Sequence, residues 1–598
     1  MLSGHGALVC LSSSFMSESL IDLTNPNELL SGVMLNAYPD SMGANVKDLV
    51  SILEGSSMAH AFSQLYLLPT FFNSDLDRGF SIIDYDLNQD LVNRRDLDQL
   101  KQAGITLKLD IVLNHLSVAS PQFKDLLRHG AKSKFKDFFI DWNVFWEGKG
   151  SKDHRGVIVP EQRYLDHLFM RKPGLPVLKV PFDQGDDRYY WNTFYQQVSL
   201  SPSIIDDLKQ RRAANHDLCT RLFNDLTQAV LGHEDLTKID LTGYAINHDA
   251  LVSLVRKHVS FLGQMDVNAQ SPEVWVFYQD TLNKLQEYGC KILRLDAFAY
   301  LHKEMGQTNF FNKPGTWHYL DRLKTMAEQN NLWVLPEIHA EYGQHLHDQV
   351  AAQGYGIYDF FLPGLVIHTI ENADHKPLLK WATEIIDKKF KVVNMLGCHD
   401  GIPVLDLKGK EIDGHFHKGL LSDPQIDRLV DLILTRGGRI KNLFGPDGSK
   451  ISYYQVNATY YSALGADDQK LLLARAIQLF MPGLPQIWYL DLFAGENDHQ
   501  AADRAGKEGH KEINRTNLSV AEINKRLETE VVQKQLKMIR FRNTANAFKG
   551  VLELPSTYHN TLHMIWRNGD ECAEFKADLL THAFTIKSSE NGRFQDIV

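Results

Sequence analysis

Short apolar runs alternate with amphipathic stretches along most of the chain, the pattern of a parallel sheet wrapped by helices. Eight runs have strand length: 32–38 (GVMLNAY), 64–72 (QLYLLPTFF), 107–114 (LKLDIVLN), 292–298 (ILRLDAF), 332–338 (LWVLPEI), 358–365 (YDFFLPGL), 392–398 (VVNMLGC) and 484–490 (LPQIWYL). Their near-continuous hydrophobicity fits strands covered on both faces. The expectation is an α/β protein built on a (β/α)₈ TIM barrel.

The gap between the third and fourth runs predicts an excursion. Its first part, to about Leu200, is rich in Trp, Tyr, Phe, Gly and Pro. In its second part, Leu218, Leu222 and Leu226 repeat at i+4 with Val230 following, and Leu251, Leu254, Val255, Val259 and Leu262 repeat at i+3 and i+4. Each set falls on one helical face, which predicts a helical hairpin from Ser203 to Leu262. A second excursion follows Asp400 to about Gly465. The tail alternates in segments such as 561–567 (TLHMIWR) and 581–588 (THAFTIKS), which predicts a small antiparallel β domain. The expected division is barrel 1–118, B-type excursion 119–200, helical insertion 201–262, barrel strands four to seven 263–400, second excursion 401–465, barrel end 466–545 and β domain 546–598.

The 598 residues carry a net charge of -11 without any Lys/Arg-rich tract, which argues against a nucleic-acid binder. An anionic substrate must then be met by local positive charge. Five scattered cysteines (Cys10, Cys219, Cys290, Cys398, Cys572) lack CxxC spacing and read as reduced, buried thiols of a cytoplasmic protein. No run approaches the ~20 apolar residues of a membrane span. The apolar patch near the start has no basic residue before it, so no secretory signal is expected, and Met16 is a candidate start. Histidines are dispersed, with no HExxH and no EF-hand loop, so neither metal nor cofactor is expected.

Three carboxylates sit near the C-terminal ends of three of the runs, in Arg294-Leu-Asp296, Leu335-Pro-Glu337 and Cys398-His399-Asp400. In a barrel that end is the catalytic face, where they converge. Paired carboxylates are the equipment of glycoside chemistry, one stabilising the sugar cation and the other protonating the leaving oxygen. Arg294 and Asp296, two apart in a strand, point the same way, and the arginine is expected to hold the acid ionised. Whichever acid protonates the leaving oxygen has to keep its proton near neutrality.

With Asp110-x-x-x-Asn114-His115 upstream, these segments resemble the four signature regions of the α-amylase superfamily of retaining glycosidases and transglucosidases. Asp77-Arg-Gly-Phe80, His399-Asp-Gly-Ile402, 453–462 (YYQVNATYYS), 482–499 (PGLPQIWYLDLFAGENDH) and Glu512-Ile-Asn-Arg515 are similar to its sucrose phosphorylase subgroup, from about Gly32 onward. The family's Gln-Gln-Val-Asp segment is split here between Gln196-Gln-Val198 and Gln264-Met-Asp266, around the insertion.

The resemblance implies Asp296 as nucleophile, Glu337 as acid/base and Asp400 as the group gripping sugar hydroxyls. It implies His115, His399, Gln264 and Arg294 around the glucose, Asp77 and Arg515 closing the pocket, and Phe80 and Phe194 as apolar walls. Arg171-Lys-Pro-Gly-Leu-Pro176 resembles an Arg-Pro-Gly-Leu-Pro loop with Lys172 at the arginine position, which leaves open whether Arg171 or Lys172 meets phosphate. Tyr454 matches a tyrosine lining that subsite. The basic loop holding Arg436 and Arg439 is a further candidate. The implied substrates are sucrose and inorganic phosphate, without nucleic acid, membrane or metal. Alternatives are another α-glucoside (glucosylglycerol, glucosylglycerate or sucrose 6'-phosphate), a hydrolase or transglucosidase, or a non-catalytic transporter subunit that has lost the acids.

Overall fold

A computed structural model describes residues 29–171, 174–182, 187–211, 216–231, 235–444, 450–506, 509–590 and 593–598, with side chains described except at 216, 441–444, 450–455, 590, 593 and 594. The central sheet has eight strands: β1 Met34–Ala37, β2 Gln64–Leu67, β3 Thr106–Val112, β4 Cys290–Asp296, β5 Trp333–Pro336, β6 Ile357–Asp359, β7 Val392–Met395 and β8 Leu484–Trp488. Their hydrogen-bonded order is β5-β4-β3-β2-β1-β8-β7-β6, and every ladder is parallel. The outermost strands, β5 and β6, are consecutive in sequence, so the sheet curls into a nearly closed barrel. Helices pack outside it, and Leu, Ile, Val and Met side chains of the strands are buried.

β2 and β6 fall furthest short of their apolar runs. Pro69 opens a 3₁₀ turn two residues after β2 ends. The run 358–365 stops being strand at Asp359, whose Oδ1 accepts from the N–H of Phe361 (3.1 Å) and of Leu362 (2.9 Å). That carboxylate caps the helix Leu362–Asn372, which carries Pro363 in its first turn, where no N–H is needed.

The first excursion holds two antiparallel hairpins, Gly150–Lys152 with Ile158–Pro160 and Val177–Pro181 with Asp187–Trp191. They close over their own aromatic core of Trp142, Trp146 and Trp191. The insertion differs from the expected hairpin. Its described residues form three α-helices, α1 Ile204–Gln210, α2 His216–Leu231 and α3 His248–His258, around a separate core that includes Leu208, Leu222, Leu226, Leu251, Leu254 and Val255. Val259 and Leu262 do not continue α3. They begin the strand Val259–Asp266, which pairs antiparallel with Gln196–Leu200 and then with His115–Ser117. The i+3/i+4 spacing therefore ran past the helix, because a Val-Ser-Phe stretch satisfies its backbone equally well in a ladder. The insertion thus rides on the far end of the ladder that brings Gln264 and Asp266 beside His115.

The second excursion contains the hairpin Lys410–Ile412/His415–His417, a helix at Asp423–Thr435 and the ladder of Arg439–Phe444 with Lys450–Asn457. The tail forms a five-stranded antiparallel sheet from Val551 to Asp596. Among the described residues no helix is long and apolar enough to cross a membrane.

Candidate active site

Arg294 organises the catalytic end of the barrel. Its Nη1 reaches Asp296 Oδ1 at 2.8 Å and Asp110 Oδ1 at 2.5 Å, and its Nη2 reaches Glu337 Oε1 at 2.6 Å. The ends of β3, β4 and β5 place these three acids around one guanidinium because residues two apart on a strand share a face. Ala297, directly after Asp296, takes a left-handed backbone (φ 51), so the chain turns sharply away at the acid.

Burial raises the Asp296 carboxyl, and Arg294, which grips it, lowers it. Burial pushes Glu337 the same way, but Arg294 and His339 overcome it and hold that carboxyl low. Arg294 thus pulls both carboxyls toward the charged form, Asp296 and Glu337 alike. The reason is geometric: the arginine grips both acids, and the Glu337 Oε1 also lies 3.7 Å from His339 Nε2.

Asp400, beyond β7, faces Lys511 Nζ at 2.5 Å, His399 Nε2 at 3.4 Å and Arg515 Nη2 at 3.7 Å. Against burial, His399, Lys511 and Arg515 hold it well below the usual range. Arg515 Nε donates to the His399 carbonyl (2.8 Å), and Asn514 Nδ2 donates to that of Cys398 (2.6 Å), pinning the segment that carries Asp400. Burial lowers His115 to about 4 and His399 to about 3, so both rings are neutral near pH 7 and act as hydrogen-bonding groups.

Phe80 lies at the centre of this cluster. It stacks on His399 (5.0 Å between centroids, 12°), its carbonyl meets His115 Nε2 at 3.1 Å, and Arg294 lies 5.6 Å from its ring centre. Phe194 packs 4.8 Å from His115. The turn Asp77–Gly79 that presents Phe80 requires glycine: Gly79 has φ +107, and a Cβ there would sit 2.3 Å from the Thr70 nitrogen. Gln264 Oε1 accepts from the Tyr195 N–H at 2.9 Å. Its Nε2, with Nδ1 of His115 and Nδ1 of His399, is buried without a hydrogen-bond partner among the described residues, leaving donors and acceptors of the kind a polyhydroxyl ligand takes.

The anion candidates are less concentrated. Arg171 Nη1 donates to Tyr300 Oη (2.9 Å) and lies over the rings of Phe194 and Tyr300, which joins it to the Phe194 side of the site. Lys172 lies outside the described residues. Tyr454 lies in the strand Lys450–Asn457, with its side chain outside the described set. Arg436 is paired with Glu371 (2.9 Å) and Arg439 with Asp503 (2.7 Å). Among the described residues no ion pair within 4.0 Å is found for Asp77, although it adds to the field on Lys511 and Arg515.

Several residues escaped the sequence reading. Lys511 sits four before Arg515 in the 3₁₀ turn His510–Asn514, and that spacing was the available signal. Asp266, named in the split segment without a role, shares a strand face with Gln264; it accepts from Thr193 (N–H 2.9 Å, hydroxyl 2.6 Å) and pairs with Lys303 Nζ at 2.7 Å. His339 lies between Glu337 and Asp406 of the second excursion. Away from the acids, His345, His347 and Asp348 place ligand-type atoms within 4.8 Å of one another, a grouping hidden by the dispersed look of the histidines.

An eight-stranded barrel with acids from successive strands on one arginine defines a carbohydrate-active enzyme of the glycosidase class. No protein-family model matches the chain. Over 560 residues it is 52% identical to the sucrose 6(F)-phosphate phosphorylase of Ilumatobacter coccineus, covering 94% of this chain and 96% of that one. Over 568 residues it is 30% identical to the sucrose 6(F)-phosphate phosphorylase of Thermoanaerobacterium thermosaccharolyticum, covering 94% and 97%. The crystal structure of sucrose 6F-phosphate phosphorylase from Thermoanaerobacter thermosaccharolyticum matches with a TM-score of 0.75 at 29% identity, covering 95% of this chain and 97% of that one. The chain therefore belongs to the sucrose phosphorylase family and is a glycoside phosphorylase.

Proposed function

We propose that the protein phosphorolyses sucrose 6F-phosphate, giving α-glucose 1-phosphate and fructose 6-phosphate with retention. The carrying observation is the grip of Arg294 on both Asp296 and Glu337. Asp296 attacks the anomeric carbon while Glu337 protonates the departing fructosyl oxygen. Phosphate then attacks the glucosyl-Asp296 carbon from the vacated side, and its proton returns to Glu337. Asp400, His115, His399 and Gln264 hold the glucose hydroxyls, with Phe80 and Phe194 as walls. Arg515 and Asp77 close the pocket, which restricts it to a terminal glucose.

Similarity to proteins named sucrose 6(F)-phosphate phosphorylase supports the phosphorylated acceptor, which the sequence reading carried as an alternative to sucrose. In a chain of net charge -11, both anions then depend on local cations, for which Arg171 and Lys172 are the nominees. The four described cysteines are buried thiols, which fits a cytoplasmic setting.

The test supplies sucrose, sucrose 6F-phosphate, glucosylglycerol and glucosylglycerate, each with and without inorganic phosphate. The expected result is glucose 1-phosphate, with kcat/KM at least tenfold higher on sucrose 6F-phosphate than on the others. Equal or better use of unphosphorylated sucrose sinks the phosphorylated acceptor, and dominance of free glucose at every phosphate concentration sinks phosphorolysis.

A further inference from the structure

The geometry points to His339 as the store of the proton that Glu337 delivers, with Asp406 as the residue that holds it there. This rests on Glu337 being the acid, as proposed above.

The Glu337 Oε1 that contacts Arg294 Nη2 at 2.6 Å is the same oxygen that faces His339 Nε2 at 3.7 Å. A carboxylate gripped by a buried guanidinium is a poor place to keep a proton at neutral pH. A general acid nevertheless needs one at the moment the glycosidic oxygen leaves. The neighbour whose ordinary titration falls near neutrality is the imidazole.

His339 is placed for that task from both sides. It comes two residues after Glu337, beyond the end of β5. Its Nδ1 lies 3.3 Å from Asp406 Oδ1, and its ring stacks on Phe360 with centroids 3.7 Å apart at 23°. Asp406 is buried, in the 3₁₀ turn Leu405–Leu407 of the second excursion. A carboxylate on one ring nitrogen favours the imidazolium and aims the other nitrogen at Glu337. Among the described residues, the titratable and charged groups acting on the pair include Lys108 from β3, Arg294 and Asp296 from β4, Tyr358 from β6, Asp400 beyond β7 and Asp406 from the second excursion. Of these, Arg294 opposes an imidazolium, and Asp296, Asp400 and Asp406 favour it.

The transfer balances. The Nε2–H bond of His339 breaks as an Oε1–H bond forms on Glu337, and that proton passes to the fructosyl oxygen as its bond to the anomeric carbon breaks. When phosphate attacks, the proton it sheds returns through Glu337 to His339. His339 and Asp406 are thus positioning residues that act through the acid.

The test is the pH profile of kcat for wild type, His339→Asn and Asp406→Asn. It uses the α-glucoside the enzyme cleaves best and, separately, α-glucosyl fluoride, whose departing fluoride needs no acid. Wild type is expected to lose glucoside cleavage on an alkaline limb in the imidazole range. His339→Asn should move that limb at least one pH unit lower and cut kcat at pH 7 by thirtyfold or more. Asp406→Asn should move it the same way by less. On glucosyl fluoride both variants should stay within threefold of wild type, with no such limb. An unmoved limb in His339→Asn overturns the store, and a proportional fall on glucosyl fluoride shows that the ring is only structural. Glu337→Gln separates the two readings: if fluoride fails to rescue it, the assignment of Glu337 as acid fails, whatever His339 does.

Discussion

Arg294 decides how the acids at the barrel mouth divide their charge, and so which substitutions are selective. It touches Asp110, Asp296 and Glu337 together, so losing it releases all three at once. Asp296→Ala should therefore abolish glucosyl transfer to every acceptor, while Glu337→Gln should keep a competent nucleophile. With glucosyl fluoride the first step of Glu337→Gln is expected to recover at least tenfold relative to its loss on the glucoside, read by fluoride release. The histidines give a second expectation at this scale. Burial lowers His115 from 6.5 to about 4, so the unfolded chain binds a proton that the folded one refuses between those values. Stability is then fully present above about 6.5 and is lost as pH falls toward 4, by on the order of 3 kcal/mol for this ring. Urea unfolding of His115→Gln should show a shallower acid-side decline than wild type; an identical slope removes His115 as its source. The main acids were legible in sequence because each ends an apolar run. Lys511 was not, because it lies in a 3₁₀ turn that no periodicity marks, and its contact with Asp400 spans 111 residues.

Element boundaries obey chemistry that the hydrophobic pattern does not record. The run 358–365 looks like one strand, yet Asp359 caps a helix three residues later. Likewise α3 hands over to a strand at Val259 without a break in apolar spacing. Eight strands were legible because strands buried on both faces are apolar throughout, whereas a cap is a matter of one side-chain oxygen. That helix-to-strand junction joins the insertion to the rest of the protein. The insertion's core is separate, but α3 is tied to the B-type excursion through Arg256 and Asp187 (3.2 Å) and runs directly into the strand carrying Gln264 and Asp266. Replacing 203–257 by a short Gly-Ser turn should therefore lower the thermal midpoint by several degrees while leaving the ratio of kcat/KM between acceptors within threefold. A larger change in that ratio would mean that the insertion contacts substrate.

At the scale of the whole molecule, the product depends on what reaches the glucosyl-enzyme first. Water stands at about 55 M and phosphate at millimolar concentration, so hydrolysis wins unless the fold binds phosphate and shields the anomeric carbon. The barrel contributes the acids, and the excursions add to the surroundings: Arg171 lies over the rings of Phe194 and Tyr300, and Asn457, ending the strand that bears Tyr454, donates to the Asp400 carbonyl. An acidic chain has no general attraction for phosphate, so removing these local cations should shift the partition rather than stop the chemistry. Arg171→Ala with Lys172→Ala is expected to raise the share of free glucose at least fivefold at 10 mM phosphate (about the middle of the millimolar range where binding has to beat bulk water). The rate of fluoride release from glucosyl fluoride should stay near that of wild type. Glucose and glucose 1-phosphate measured from the same reaction give the ratio directly. An unchanged ratio would place the phosphate site elsewhere, and a matching collapse of fluoride release would show that the loop supports Asp296 itself.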